Sequence, residues 1–120
     1  MSNYKAPVTD LRFALHDVLK AESLFASMGF EDASADVIDA VLEEAGRFST
    51  SVLAPLNAVG DQTGCKLDKA TNEVTTAPGF KEAYAQFVEG GWTGLTASPD
   101  FGGQGMPETM GMALSEMVSS

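Results

Sequence analysis

Few residues in this chain can do chemistry. It holds one histidine, His16, and one cysteine, Cys65. His16 stands between Leu15 and Asp17 with no second base or nucleophile near it in sequence. It reads as a surface or partly packed residue. Lys66 beside Cys65 favours a thiolate, but no histidine accompanies the pair, and a buried or inert thiol is expected. A single cysteine excludes an internal disulfide and a cysteine-based zinc site. Asp36, Asp39, Glu43 and Glu44 cluster without the spacing of a calcium loop, so a solvated acidic face is expected. These residues assign no metal site and no catalytic residue.

The glycines are more suggestive. Gly102-Gly103-Gln104-Gly105-Met106-Pro107-Glu108 invites comparison with a nucleotide-binding loop. The dinucleotide fingerprint needs a glycine where Glu108 stands, and a buried strand must precede it. The Gly-Lys-Ser/Thr of a P-loop is absent. The segment therefore reads as a turn that lets another part of the chain approach closely. Met106, Met110, Met112 and Met117 suit either a flexible apolar pocket or a helix core. Trp92 reads as a core anchor at the entry to the segment.

The elements around these residues are helical by period. Leu11, Ala14, Leu15, Val18, Leu19, Leu24, Phe25 and Met28 recur at threes and fours, which predicts one helix over 10–28. Thr9 or Asp10 is its expected cap and Gly29 its stop. Phe13 lies off the stripe. Ser34 caps a second apolar-faced helix through Val37, Ile38, Val41, Leu42, Ala45, Phe48, Val52 and Leu53. Pro55 is expected to kink or end it. Cys65–Leu67 and Glu73–Thr76 predict a short irregular hairpin. A third helix follows Pro78 and stops at Gly90-Gly91. The last begins near Pro107-Glu108. The expected fold is mostly α, with about four main helices and a glycine-rich loop before the last.

Composition bounds the function classes. The chain has 120 residues, 7 basic against 17 acidic, and a formal net charge of −10. That length suits one domain and is too short for a cofactor domain plus a substrate domain. The 44% apolar content supplies a core. The acidity and the scattered Lys and Arg exclude a phosphate-backbone binder, so no nucleic acid is expected. No run of about 20 apolar residues is present for a membrane span. Met1–Thr9 does not read as a signal peptide. The cytoplasm is the expected location.

The order of the pieces resembles the acyl-CoA dehydrogenase family. The resemblance rests on Gly90-Gly91-Trp92, Leu95, Ser98-Pro99-Asp100-Phe101-Gly102-Gly103-Gln104-Gly105-Met106-Pro107 and a following helix with Glu116. Asp100 replaces the family's usual Glu, and Phe101 a common Tyr. Tyr4, Pro7, Asp10, Arg12, Phe13 and Leu15 look like the N-terminal extension of one bacterial branch, that of the 3-methylmercaptopropionyl-CoA dehydrogenases. The Gly64-Cys65 turn and the Pro78-Gly79-Phe80 helix start are similar to that branch too.

The resemblance implies an acyl-CoA dehydrogenase N-terminal helical domain, with 1–33 as extension and first helix and 34–120 as the domain proper. The middle β-domain and C-terminal helical bundle would lie outside this chain. It implies α,β-desaturation of an acyl-CoA thioester with FAD, a glutamate base in the C-terminal domain, an electron-transfer flavoprotein as acceptor and a homo-oligomeric whole enzyme. No catalytic or flavin-binding residue maps onto these positions, and this chain alone would be inactive. Its implied role is to help wall the acyl pocket through Phe101, Gly102, Gly103, Gln104, Gly105, Met106 and Met110. The competing reading is a stand-alone helical interaction module docking through its first and last helices.

Overall fold

The computed structural model describes residues 3–120. The first two residues of the 1–33 segment and of the Met1–Thr9 opening lie outside the described residues. The chain folds as α1 (Val8–Arg12), a π-helical stretch Phe13–Val18, α2 (Ala21–Ser27), α3 (Ala35–Phe48), a second π-helical stretch Ser49–Leu53 and α4 (Ala54–Thr63). The hairpin β1 (Lys66–Asp68) and β2 (Glu73–Thr75), α5 (Phe80–Glu89), two 3₁₀ turns (Trp92–Gly94 and Pro99–Phe101) and α6 (Glu108–Ser119) complete it. The fold is mostly helical with a small antiparallel hairpin, as the sequence implies.

The helix over 10–28 is not continuous. It starts at Val8 after Pro7, without the side-chain cap expected of Thr9 or Asp10. It widens to π geometry at Phe13 and breaks at Lys20, which is left-handed at φ 52°. The break redirects the chain so that Ala21 and Phe25 enter the core. Val18, Leu19, Leu24 and Met28, expected inside by their spacing, are left exposed.

Pro55 does not end the second helix, which runs on to Thr63. The π stretch Ser49–Leu53 places Pro55 in the first turn of α4, where its missing N–H and fixed φ are tolerated. Ser34 does cap α3, its side chain accepting from the Val37 amide at 3.4 Å. Gly91, left-handed at φ 78°, ends α5 as expected.

α3 is the centre. Ile38, Leu42 and Ala45 form one buried stripe. Leu15 and Phe25 from the N-terminal elements and Met110, Ala113, Leu114 and Met117 of α6 join it in one core cluster. The hairpin pairs Leu67 with Val74 and is exposed along both strands.

The resulting body is a slab of 56 × 36 × 16 Å. Its thickness is that of one pair of packed helices. The radius of gyration is 17.0 Å, against about 14 Å for a compact domain of this length. The accessible surface is 8015 Å², against about 6,200 Å² for a compact monomer of this mass.

Candidate functional site

The glycine-rich segment is folded on itself by its own backbone. The amides of Gln104, Gly105 and Met106 donate to the carbonyls of Gly94, Ala97 and Leu95, each at 2.9 Å. Those of Gly102 and Gly103 donate to Pro99 and Ser98 at 3.0 Å. Two stretches, 94–97 and 103–106, are thereby laced together. Gln104 adds a strut, its Nε2 donating to the Gly91 carbonyl at 2.9 Å. Ser98 Oγ accepts from the Asp100 amide at 3.2 Å. Gly103 is required by closeness, because a Cβ there would strike the Ala97 carbonyl.

This arrangement places the sequence-derived site residues unequally. Phe101 projects at the tip with 89% of its surface exposed. Gly102 and Gln104 are exposed beside it, and Gly103 and Gly105 are half-buried. Met106 is half-buried against the core. Met110 is fully buried among the core side chains, as is Met117. The structure thus gathers 101–106 on one surface and sets Met110 inside. Met112 points away from both, 71% exposed.

The segment does not fit the pyrophosphate of FAD. A phosphate cradle needs unspent amides or nearby cations. The amides of 102–106 all donate within the segment, and no Lys or Arg occurs between Gly90 and Glu108. No chemical step is assigned through a flavin to these residues.

His16 is better partnered than the sequence suggests. Its Nε2 lies 2.7 Å from Asp39 Oδ1 of α3, and Arg12 reaches the other Asp39 oxygen at 3.1 Å and Glu43 at 3.5 Å. The expected acidic face is in part an ion-pair clamp between the first helix and α3. Two carboxylates and an imidazole with no nucleophile describe a structural contact, not a catalytic one. Cys65 is exposed, not buried, at the start of the hairpin. Among the described residues no group of His, Cys, Asp and Glu is arranged to hold a metal ion.

Sequence reasoning missed an apolar groove of about 510 Å³. It lies between α4, α5 and the end of α6, and Leu53, Phe80, Tyr84, Phe87 and Met117 line it. None of residues 101–110 lines it. Its signal in the sequence is the apolar set of α5, which is wider than one neighbouring helix can cover. Among the described residues no helix is long and apolar enough to cross a membrane.

Comparison with known proteins bears on this geometry. No protein-family profile matches the chain. It is 37% identical over 117 residues to 3-methylmercaptopropionyl-CoA dehydrogenase of Ruegeria pomeroyi, covering 98% of this chain and 20% of that protein. It is 28% identical over 118 residues to the broad-specificity linear acyl-CoA dehydrogenase FadE5 of Mycobacterium tuberculosis, covering 98% of this chain and 19% of that one. The chain spans about one fifth of the length of the curated relatives it matches. By sequence, this chain is a relative of the acyl-CoA dehydrogenases and corresponds to a segment of such a protein.

Proposed function

We propose that this chain is the N-terminal part of an FAD-dependent acyl-CoA dehydrogenase that desaturates an acyl-CoA thioester between its α and β carbons. One observation carries the reading: the match runs through 98% of this chain while covering one fifth of each relative. The surface in excess of a compact monomer supports it. The excess is about 1,800 Å² on this chain alone, about twice the roughly 800 Å² that one partner buries in a standard-size interface.

In this reading residues 1–33 are an extension and first helix, and 34–120 the helical domain proper. The flavin, when bound, accepts hydride; the residues that hold it lie in the other domains. This chain's contribution is mechanical. The laced glycine segment holds the aromatic ring of Phe101 clear of its own domain, where it can cover the acyl chain and exclude water from the reacting carbons. Gly102–Met106 set the height of that wall, with Met110 behind it as packing. The partners would be the acyl-CoA, the remaining domains, an electron-transfer flavoprotein and further copies in a cytoplasmic oligomer.

The test begins with the coding DNA past the Ser120 codon, followed by purification of the whole product. A yellow protein that reduces a dye in the presence of an acyl-CoA is the expected result. Phe101→Ala should then raise KM for the acyl-CoA several-fold or lower turnover, and unchanged values for both would remove the pocket role from this segment. A frame that closes directly after Ser120 would leave the stand-alone docking module, which the exposed apolar side chains of the first helix and α6 also suit.

A further inference from the structure

The laced segment is closed on itself, so something else must fix its angle to the helical body. The amides of 102–106 donate only to carbonyls between Gly94 and Pro99. Those bonds set the shape of the segment and not its tilt. Leu95 is buried in the core and Met106 is packed against it, which pins the base of the segment. Phe101 stands at the other end, in solvent. Among the described residues, one side chain from 92–107 hydrogen-bonds across to the turn that ends α5. It is Gln104, whose Nε2 donates to the Gly91 carbonyl at 2.9 Å.

The seat for that amide is made by a missing side chain. Gly91 is left-handed at φ 78°, and a Cβ there would strike the Gln104 amide nitrogen. A helix stop alone would accept asparagine in the left-handed conformation. The Gln104 contact requires glycine. The Gly91 carbonyl also accepts the Gly94 amide at 3.2 Å, so Gln104 fills its second lone pair. Gln104 is itself exposed, so burial does not explain why its amide is held.

We infer that Gln104 is a positioning residue for acyl-chain specificity: through Gly91 it fixes the tilt of the laced segment, and so the reach of the Phe101 ring over the acyl chain. The inference rests on the reading of Phe101 as part of the acyl pocket. A wall held at one height discriminates between acyl chains by about 10-fold or more per methylene in kcat/KM. A wall free to tilt follows whichever chain is bound and discriminates less.

The test uses the complete protein and a series of saturated acyl-CoAs of increasing length. Gln104→Glu keeps the size of the side chain, but a carboxylate cannot donate to a carbonyl. Gly91→Asn keeps the left-handed turn and the charge of the segment, and blocks the seat from the other side. In both variants the ratio of kcat/KM between the best acyl-CoA and one two carbons shorter should fall by about threefold or more. The amides of 104–106 should exchange with deuterium about tenfold faster than in the unmodified protein. An equal loss for every chain length, with the ratio unchanged, would make Gln104 merely structural. That outcome overturns the inference and leaves the enzyme reading standing. Unchanged exchange also overturns it, since the segment would then be held without the strut. No acyl-CoA turnover in the unmodified protein would remove the enzyme reading, and the role of Gln104 with it.

Discussion

Ser49 and Lys20 each have a local environment that works against the fold. Ser49 is 1% exposed, and its hydroxyl has no hydrogen-bond partner among the described residues. Removing a buried group that is already unsatisfied relieves its desolvation cost. Ser49→Ala should therefore stabilise the chain by about 1 kcal/mol in chemical denaturation. Lys20 holds a left-handed backbone at φ 52°, which costs a residue with a Cβ about 1–2 kcal/mol. Lys20→Gly should recover up to about 1 kcal/mol, offset in part by the entropy glycine adds to the unfolded chain. A loss of stability would mean that the Lys20 side chain contributes more than its backbone costs. The glycines of the laced segment separate two effects. Gly102 has φ 83° and open space around it, whereas Gly103 has the Ala97 carbonyl against it. Gly102→Ala should cost about 1 kcal/mol through backbone strain alone. Gly103→Ala should cost about 2–3 kcal/mol, because a backbone has to move. Equal costs by thermal unfolding would show that the close approach carries no special weight.

Among the elements, the first helix is joined to α3 by Arg12 and His16 converging on Asp39. The arginine is nearly half exposed, so the clamp is a screened surface pair of modest worth. Asp39→Ala should cost about 0.5–1 kcal/mol at low salt, and 1 M NaCl should remove most of that difference. An unchanged penalty in salt would point to lost packing. The same elements show what the sequence discloses. Helix existence and type were legible for α3, α5 and α6, because Ile38, Leu42 and Ala45 and their counterparts keep an unbroken period. Ser34 and Gly91 were legible as caps because their chemistry is local. The break at Lys20 was not. No Gly, Pro or Asn marks it, and the requirement to turn Phe25 inward is tertiary. The continuation through Pro55 was hidden for the same reason, since only a widened turn ahead of a proline makes the proline harmless. In the candidate site, the glycines and prolines announced an irregular segment, but not that its amides are spent on one another. The pairing of His16 with Asp39 joins residues 23 positions apart, beyond any local pattern.

For the whole molecule, thinness is the governing property. A slab of 56 × 36 × 16 Å cannot enclose all of its apolar side chains, and Leu24, Met28, Tyr84, Phe101 and Met112 remain outside. The isolated 120-residue chain should bind the dye ANS and elute ahead of a 12.6-kDa monomer in gel filtration. The complete protein should show little dye binding at equal molarity. Monodisperse, ANS-silent behaviour of the isolated chain would favour the self-sufficient docking module.

Tyr4 adds a property of a different kind. Its hydroxyl donates to the Met117 carbonyl at 2.7 Å and lies 3.0 Å from Ser120 Oγ, so the start and the finish of this stretch meet at one corner. The domain is close to a closed ring in which entry and exit share a doorway. Its ends could be stitched together and new ones opened at the exposed hairpin tip between Asp68 and Glu73 without moving a core residue. During synthesis the ring shuts last, because Tyr4 emerges long before the carbonyl it grips. The corner that closes is also the rim of the apolar groove, which Tyr4 and Ser120 both line.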